Sequence, residues 1–126
     1  MMFGDQTSLE DAGHIVADAQ EKGCNFIDTA DVYSLGKSEE IVGQVLKGQR
    51  QSWVLASKVG NAMSELPNNQ GYSRSWMLRA CEDSLRRLAT DHLDIYYLHR
   101  DFNGMSLEEP LRAIDALLRD GKIRYW

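Results

Sequence analysis

The sequence predicts an α/β protein with a parallel sheet, built from four helix–strand units. Apolar residues at helical spacing alternate with short apolar runs along the whole chain. Three of the apolar runs end in a polar residue, at the points where strands would leave a buried sheet. This alternation implies right-handed crossovers between parallel strands. The pattern leaves two architectures open, an open doubly wound sheet and part of a (β/α)8 barrel.

The first unit is a helix over about residues 8–22 followed by a short buried strand over residues 25–28. Thr7 and Glu10 have the spacing of a capping box, and Ala12, Ile15 and Val16 form an apolar stripe. The second unit starts at Ser38 and gives a helix that ends before residue 48, with a strand over residues 53–58.

The third unit follows a polar loop and is introduced by Ser73 as a helix cap. Its helix is predicted to bear two surface ion pairs, Glu82–Arg86 and Asp83–Arg87, and its strand covers residues 93–99. In the fourth unit, Ser106 and Glu109 have capping-box spacing. The apolar positions of this helix are Leu107, Leu111, Ile114, Leu117 and Leu118, and a last strand is predicted over residues 123–126.

Length and composition favour one domain over residues 1–126 and exclude several classes of protein. The formal net charge of -5 argues against a nucleic-acid partner, which needs a basic face. No segment has the length of a membrane span, and no signal peptide is evident at the N-terminus. The two cysteines, Cys24 and Cys81, are interpreted as buried thiols in a reducing compartment, so we expect a cytoplasmic protein without a membrane partner.

Candidate functional residues lie at the predicted strand ends. Asp28, Lys58 and His99 each close an apolar run, and Tyr33 follows Asp28 by five residues. Functional groups of parallel α/β folds collect at the carboxyl ends of the strands. Alternation along the strands would point all three strand-end side chains to the same face. Asp31 is interpreted as a loop group or a supporting group of this site.

These four residue types suit the protonation of an oxygen on which negative charge develops. A phenol is a weak acid at neutral pH, a neighbouring ammonium stabilises its anion, and a carboxylate holds the ammonium in place. A histidine can hydrogen-bond the same oxygen. Hydride reduction of a carbonyl needs such a set, with the hydride supplied by a cofactor. Asp28 and His99 are not interpreted as metal ligands, because Lys58 would compete with a cation.

Four ordered segments resemble the aldo-keto reductases. They are NFIDTADVYSLGKSEEIVG from Asn25, WVLASKVG from Trp53, LDIYYLH from Leu93 and LRDGKIRYW from Leu118. The resemblance implies half of a TIM-type (β/α)8 barrel and NADPH-dependent reduction of aldehydes or ketones. The catalytic residues of the family correspond to Asp28, Tyr33, Lys58 and His99, with Tyr33 as proton donor; Asp28 would also contact the nicotinamide ribose of the cofactor.

The chain is less than half the usual length of this family, and its resemblance stops within the fifth barrel strand. The family's cofactor contacts after strands five to eight have no counterpart in these 126 residues. We therefore expect weak or absent NADPH binding by this chain. The alternative function is a catalytically incomplete half-barrel, a relic or an assembly module that retains the four residues by descent.

An open half-barrel also predicts self-association. Its bare strand edges and an inner face with Phe26, Val54, Ile95 and Tyr97 would be exposed. Two copies would supply eight strands, the number in a closed barrel, so a homodimer is expected. A face-to-face sandwich dimer is the alternative arrangement.

Overall fold

Helices and parallel strands alternate in the computed structural model, which describes residues 3–102 and 104–126. The helices are α1 (Leu9–Glu21), α2 (Lys37–Val45), α3 (Arg74–Leu88) and α4 (Glu108–Arg119). The strands are β1 (Phe26–Asp28), β2 (Val54–Val59), β3 (Leu93–Leu98) and β4 (Ile123–Tyr125). Short 3-10 segments cover Tyr33–Gly36 and Arg50–Ser52.

The strands lie in the sheet in the order in which they occur in the chain, β1-β2-β3-β4, and every neighbouring pair is parallel. A doubly wound sheet would reverse its strand order at a switch point, whereas successive units of a barrel add strands in one direction. The order therefore decides between the two architectures and confirms the predicted part of a (β/α)8 barrel.

The two faces of the sheet differ in exposure. On the face covered by helices, Leu55, Ser57 and Tyr96 are completely buried. The opposite face, called the open face below, comprises Phe26, Val54, Ile95, Tyr97 and Tyr125. Phe26 is 47%, Tyr97 37% and Tyr125 69% exposed. The helices thus cover one side of the sheet, and the apolar inner side faces solvent as predicted.

The helix caps follow the sequence prediction in part. Ser73 caps α3, since its hydroxyl accepts from the backbone N–H of Trp76 at 3.3 Å. The predicted Thr7 cap of α1 is wrong: Ser8 accepts from the N–H of Asp11 at 3.1 Å and donates to its carboxylate at 2.7 Å. Either residue offers a hydroxyl before the helix, and only the backbone path selects between them.

Cap and start positions also differ at the other helices. α2 begins at Lys37, one residue before the predicted Ser38, because Ser38 is buried and shares a hydrogen bond of 2.9 Å with Thr29. At α4, Glu109 accepts from the backbone N–H of Arg74 at 2.8 Å instead of closing a capping box with Ser106. In both cases the side chain that was predicted to start or cap a helix instead forms a hydrogen bond with a residue outside that helix.

The predicted surface ion pairs of α3 are wrong. Arg86 pairs with Asp83 at 3.0 Å, whereas Glu82 lies 3.2 Å from Lys122. Arg87 turns inward to the buried Glu39. Spacing along a helix identifies neighbours on that helix, but residues on adjacent elements compete for the same charges.

On α1 and α4, the predicted apolar face is broader than the face that is buried in the structure. On α1, Ala12 and Val16 are buried and Ile15 is 52% exposed. On α4, Ile114 and Leu117 are buried and packed with α3, while the other three predicted core positions are exposed: Leu107, Leu111 and Leu118. α1 and α4 are the first and last helices, and each packs against one other helix, α1 against α2 and α4 against α3. Part of each apolar stripe therefore has no neighbour among the described residues.

The prediction that both cysteines are buried is correct for one of them. Both cysteines are free thiols, and Cys81 is buried as predicted. Cys24 is exposed, which contradicts the prediction, because it lies in the turn between α1 and β1 rather than in the sheet. Among the residues that the structure describes, no helix is both long enough and apolar enough to cross a membrane.

We expect Gly43→Ala to destabilise the fold by about 1–3 kcal/mol, because the new methyl group would overpack a helix contact. A Cβ at Gly43 would lie 2.7 Å from the backbone carbonyl of Leu88, where α2 crosses α3. Gly13→Ala in α1 is the matched control, since nothing lies within 4 Å of its Cβ position. Chemical denaturation should show the control unchanged or slightly more stable; equal stability of the two variants would contradict the prediction.

Candidate functional site

The carboxyl ends of three strands bring the candidate residues to one edge of the sheet. Asp28 is the last residue of β1, Lys58 lies near the end of β2, and His99 directly follows β3. The N–H of His99 donates to the carbonyl of Val59 at 2.9 Å, so the backbone pairing of β3 with β2 continues to His99. Parallel pairing therefore places three side chains that are far apart in sequence beside one another.

Tyr33 reaches this edge through a tight turn after β1. Its N–H donates to the carbonyl of Ala30 at 3.2 Å, which folds the chain back over the sheet. Ser34, Leu35 and Gly36 then adopt positive φ angles of 48°, 50° and 91°. Left-handed backbone is costly for residues with a side chain. The turn that carries Tyr33 is thus a strained segment held by its surroundings.

The Lys58 ammonium connects the members of the site. It donates to the Asp28 carboxylate, to the backbone carbonyl of Thr29 at 2.7 Å and to the Tyr33 hydroxyl oxygen at 3.2 Å. An ammonium has three N–H donors, and all three have acceptors here. The Lys58 side chain is 14% exposed, so its orientation is determined by protein groups rather than by water.

This arrangement assigns a direction to the Tyr33 proton. Because the phenol oxygen accepts from Lys58, its own O–H is not needed for that contact and can point away from the ammonium. The positive charge of Lys58 would also stabilise negative charge on the phenol oxygen after proton transfer. Asp28 forms an ion pair with the same ammonium. The geometry therefore allows Tyr33 to donate a proton while the Lys58 ammonium stabilises the phenolate that would remain.

His99 forms the third side of the site. Its ring meets the Tyr33 ring edge to face, with centroids 5.7 Å apart and planes at 81°. Burial lowers the pKa of His99, and the charges of Lys58 and Arg100 lower it further against the opposing effect of Asp28. The imidazole is therefore neutral near pH 7. Its Nδ1 is buried and has no hydrogen-bond partner among the residues that the structure describes, which leaves Nε2 as the nitrogen to contact a ligand.

The structure thus brings Asp28, Tyr33, Lys58 and His99 together, while their catalytic roles stay a prediction. Asp31, interpreted from sequence as a loop or supporting group, is completely buried below the turn. Its Oδ1 accepts the N–H of Val32 at 2.6 Å, and Oδ2 has no partner among the described residues.

Sequence reasoning missed a buried polar cluster beneath the site, formed by Glu39, Ser57 and Arg87. Glu39 has no solvent exposure, accepts from Arg87 at 2.6 Å and accepts the Ser57 hydroxyl at 2.5 Å. In the sequence, Glu39 looks like a first-turn acidic residue of α2, which is common at exposed helix starts. A signal for the inward direction of Arg87 is its spacing from Ala80, a buried residue two helical turns earlier on the same face of α3.

The charges of the strands suit one end of a dinucleotide. Asp28 is 41% exposed, and its second carboxylate oxygen has no hydrogen bond among the described residues, so it can accept from a ribose hydroxyl. The cations within the described strands are Lys58, whose donors are all used, and Arg124, which lies 3.6 Å from Asp94. Asp28 therefore fits a ribose of a dinucleotide, whereas the described strands offer no unpaired cation for its phosphates.

Comparison with known proteins identifies similar chains. The family model described as "Aldo/keto reductase family" matches residues 1–126. An uncharacterised oxidoreductase of Bacillus subtilis (strain 168), YqkF, is 36% identical over 124 residues, which are 95% of this chain and 40% of that protein. The chain thus spans about 40% of the length of this curated relative.

Solved structures agree with this result. A holo-form aldo-keto reductase from Bacillus halodurans superposes with a TM-score of 0.86 at 38% identity, over 94% of this chain and 41% of the other. An aldo-keto reductase from Klebsiella pneumoniae, solved in complex with NADPH, gives a TM-score of 0.80 at 38% identity, over 93% and 38% of the two chains. The likeness therefore covers nearly all of this chain and less than half of each neighbour.

Proposed function

Because the chain belongs to the aldo/keto reductase family, we propose that it acts in NADPH-dependent reduction of an aldehyde or ketone, with Tyr33 as the proton donor. The observation that carries the proposal is the 3.2 Å contact from Lys58 Nζ to the Tyr33 hydroxyl oxygen, with Asp28 bound to Lys58 and the His99 ring against Tyr33. We place this activity in the cytoplasm, in keeping with the two free thiols.

In this proposal the substrate carbonyl oxygen lies between the Tyr33 hydroxyl and His99 Nε2. Neutral His99 donates a hydrogen bond that orients the carbonyl, which needs the proton on Nε2. Tyr33 transfers its proton to the oxygen as negative charge develops there, and Lys58 stabilises the phenolate that remains. Asp28 keeps the ammonium in position throughout.

The bound dinucleotide would supply the hydride. Asp28 would hold its ribose through the free carboxylate oxygen.

The test is NADPH oxidation measured by absorbance with a small aldehyde, alongside NADPH titration by fluorescence. Aldehyde-dependent oxidation supports the reductase. No NADPH binding at millimolar concentration and no turnover would overturn it for this chain. We expect binding weaker than micromolar when the chain is strictly monomeric, since contacts to phosphates are worth kilocalories each and the described strands offer no free cation for them.

A second candidate function, an assembly or binding module without turnover, is favoured by the open face. Its exposed aromatic side chains, Phe26, Tyr97 and Tyr125, lie on a sheet whose edge strands are β1 and β4. Aromatic patches on exposed sheets of this kind mark association surfaces. We propose that a second copy of this chain covers the face, since two sets of four strands supply the eight that close a barrel.

We expect the 126-residue chain to sediment as a dimer at high micromolar concentration. Tyr125→Asp should weaken the dimer, because it places a charge on the apolar surface that would be buried. Leu66→Asp is the matched control, since Leu66 is 63% exposed and lies in the loop between β2 and α3, away from the open face. A chain that remains monomeric, or a dimer weakened equally by both variants, would refute pairing through the open face.

A further inference from the structure

A buried ion pair lies between the segments that carry Tyr33 and Lys58. Arg87 of α3 donates from Nε to one Glu39 carboxylate oxygen at 2.6 Å, and the other oxygen accepts the Ser57 hydroxyl at 2.5 Å. Ser57 directly precedes Lys58 in β2. One carboxylate therefore joins α3 to the strand that holds the ammonium.

The same arginine supports the turn that follows Tyr33. A Cβ at Gly36 would lie 2.7 Å from Arg87 Cδ and 3.0 Å from its Nε, so the Arg87 side chain packs directly against the backbone of Gly36. Gly36 is the last of three successive residues with positive φ. Such a sequence of left-handed residues persists only where neighbouring structure determines it. Arg87 thus contacts the last residue of this turn.

We propose that Glu39 and Arg87 are positioning residues that hold Tyr33 beside the Lys58 ammonium. Arg87 fixes the turn at Gly36, and Glu39 fixes β2 through Ser57, so the ion pair determines the separation of the two segments. Glu39 is completely buried and Arg87 is 21% exposed on its side chain. Their side-chain hydrogen bonds go to each other, to Ser57 and to Ser84. The consequence for turnover rests on the proposed function, whereas the placement of Tyr33 does not.

The test needs variants that keep the fold. Removing one partner alone leaves an uncompensated buried charge, which is strongly destabilising, while removing both charges is often tolerated. The double variant Glu39→Gln/Arg87→Met removes both charges and keeps side chains of similar length. Arg86→Met is the matched control, because Arg86 is the neighbouring arginine of α3, is 75% exposed and pairs with Asp83.

The first readout is the position of Tyr33 without any ligand. Amide hydrogen exchange reports the turn through the N–H groups of Tyr33 and Leu35, which donate to Ala30 and Val32. A nuclear Overhauser effect between the Tyr33 and His99 rings reports their edge-to-face contact. In the folded double variant we expect exchange at these amides to be about tenfold faster and the ring signal to be lost, with the control unchanged.

Wild-type exchange rates and an intact ring signal in the folded double variant would overturn the proposal. If that variant does not fold, Ser57→Ala separates the ion pair from β2 while leaving both charges paired. The ring signal should then weaken, and an unchanged ring signal in Ser57→Ala would overturn the proposal equally.

The second readout is kinetic. If the wild-type chain reduces an aldehyde, the double variant should lose about 10–100-fold in kcat with little change in the KM for the aldehyde, because misplacing a reacting group affects the transition state more than binding. A wild-type kcat in the folded double variant would contradict the proposal. Absence of turnover in the wild type would refute the proposed function and leave the exchange comparison valid.

Discussion

Tyr33→Phe is expected to lower the turnover of an aldehyde by about 10²–10⁴-fold, the usual contribution of a general acid. The substitution removes the hydroxyl that accepts from Lys58 at 3.2 Å and leaves the aromatic ring in contact with His99. Because the ring remains, the fold and the binding of NADPH should change little. The measurement is the initial rate of NADPH oxidation at several aldehyde concentrations.

Tyr96→Phe is the matched control for this experiment. Tyr96 is completely buried on the helix-covered face, and its hydroxyl has no partner among the described residues. Its removal should leave turnover within about twofold of the wild type, since no hydrogen bond is lost. Turnover in Tyr33→Phe that equals turnover in Tyr96→Phe would exclude Tyr33 as the proton donor.

Asp31→Asn is expected to make stability less dependent on pH. The pKa of Asp31 is raised from 3.8 to about 7. Burial is the largest cause and the Glu39 carboxylate adds to it, while the N–H of Val32 and the charges of Arg87 and Lys58 oppose them. The folded chain therefore keeps a proton that the unfolded chain releases between these two values. The stability that Asp31 contributes is fully present below pH 3.8 and is lost as the pH rises to about 7.

Asparagine remains neutral at every pH, so the stability of the variant relative to wild type should increase with pH. From pH 5 to pH 8 the relative gain should be about 2–3 kcal/mol, which corresponds to the part of the pKa shift that lies in this range. Urea unfolding at the two pH values measures it. Asp115→Asn is the control, because Asp115 is 56% exposed and its pair with Arg119 is worth little. A gain of equal size in the control, or no gain in Asp31→Asn, would contradict the raised pKa.

Local patterns were sufficient for the elements of this fold. Apolar spacing, Ser73 as a cap and the short apolar runs predicted the four helices and four strands within a few residues of their bounds. These features depend on neighbours three or four positions away, which the sequence displays directly. The same holds for the candidate site, since Asp28, Lys58 and His99 were recognisable as polar ends of apolar strands.

The partners of charged side chains could not be predicted in this way. Arg87 was expected to pair with Asp83 on the surface of α3, but it reaches the buried Glu39 on α2 instead. Spacing identifies which residues can meet along one helix, whereas the crossing of two helices determines which carboxylate lies closest. Asp31 was not recognised as a buried carboxyl, because its burial depends on packing between elements distant in the chain. Cys24 was assigned to the interior although it lies exposed in the turn between α1 and β1.

The sequence by itself therefore determined the alternation of helices and strands, the family resemblance and the identity of the four candidate residues. Only the tertiary structure decided that the strands lie in sequential order, that Lys58 donates to both Asp28 and Tyr33, and that the Tyr33 turn lies above Arg87. The physical reason is the separation along the chain of the residues that interact. Helix and strand formation depend on contacts between residues close in the chain, whereas the Asp28–Lys58 and Glu39–Arg87 contacts join residues 30 and 48 positions apart, which only packing brings together.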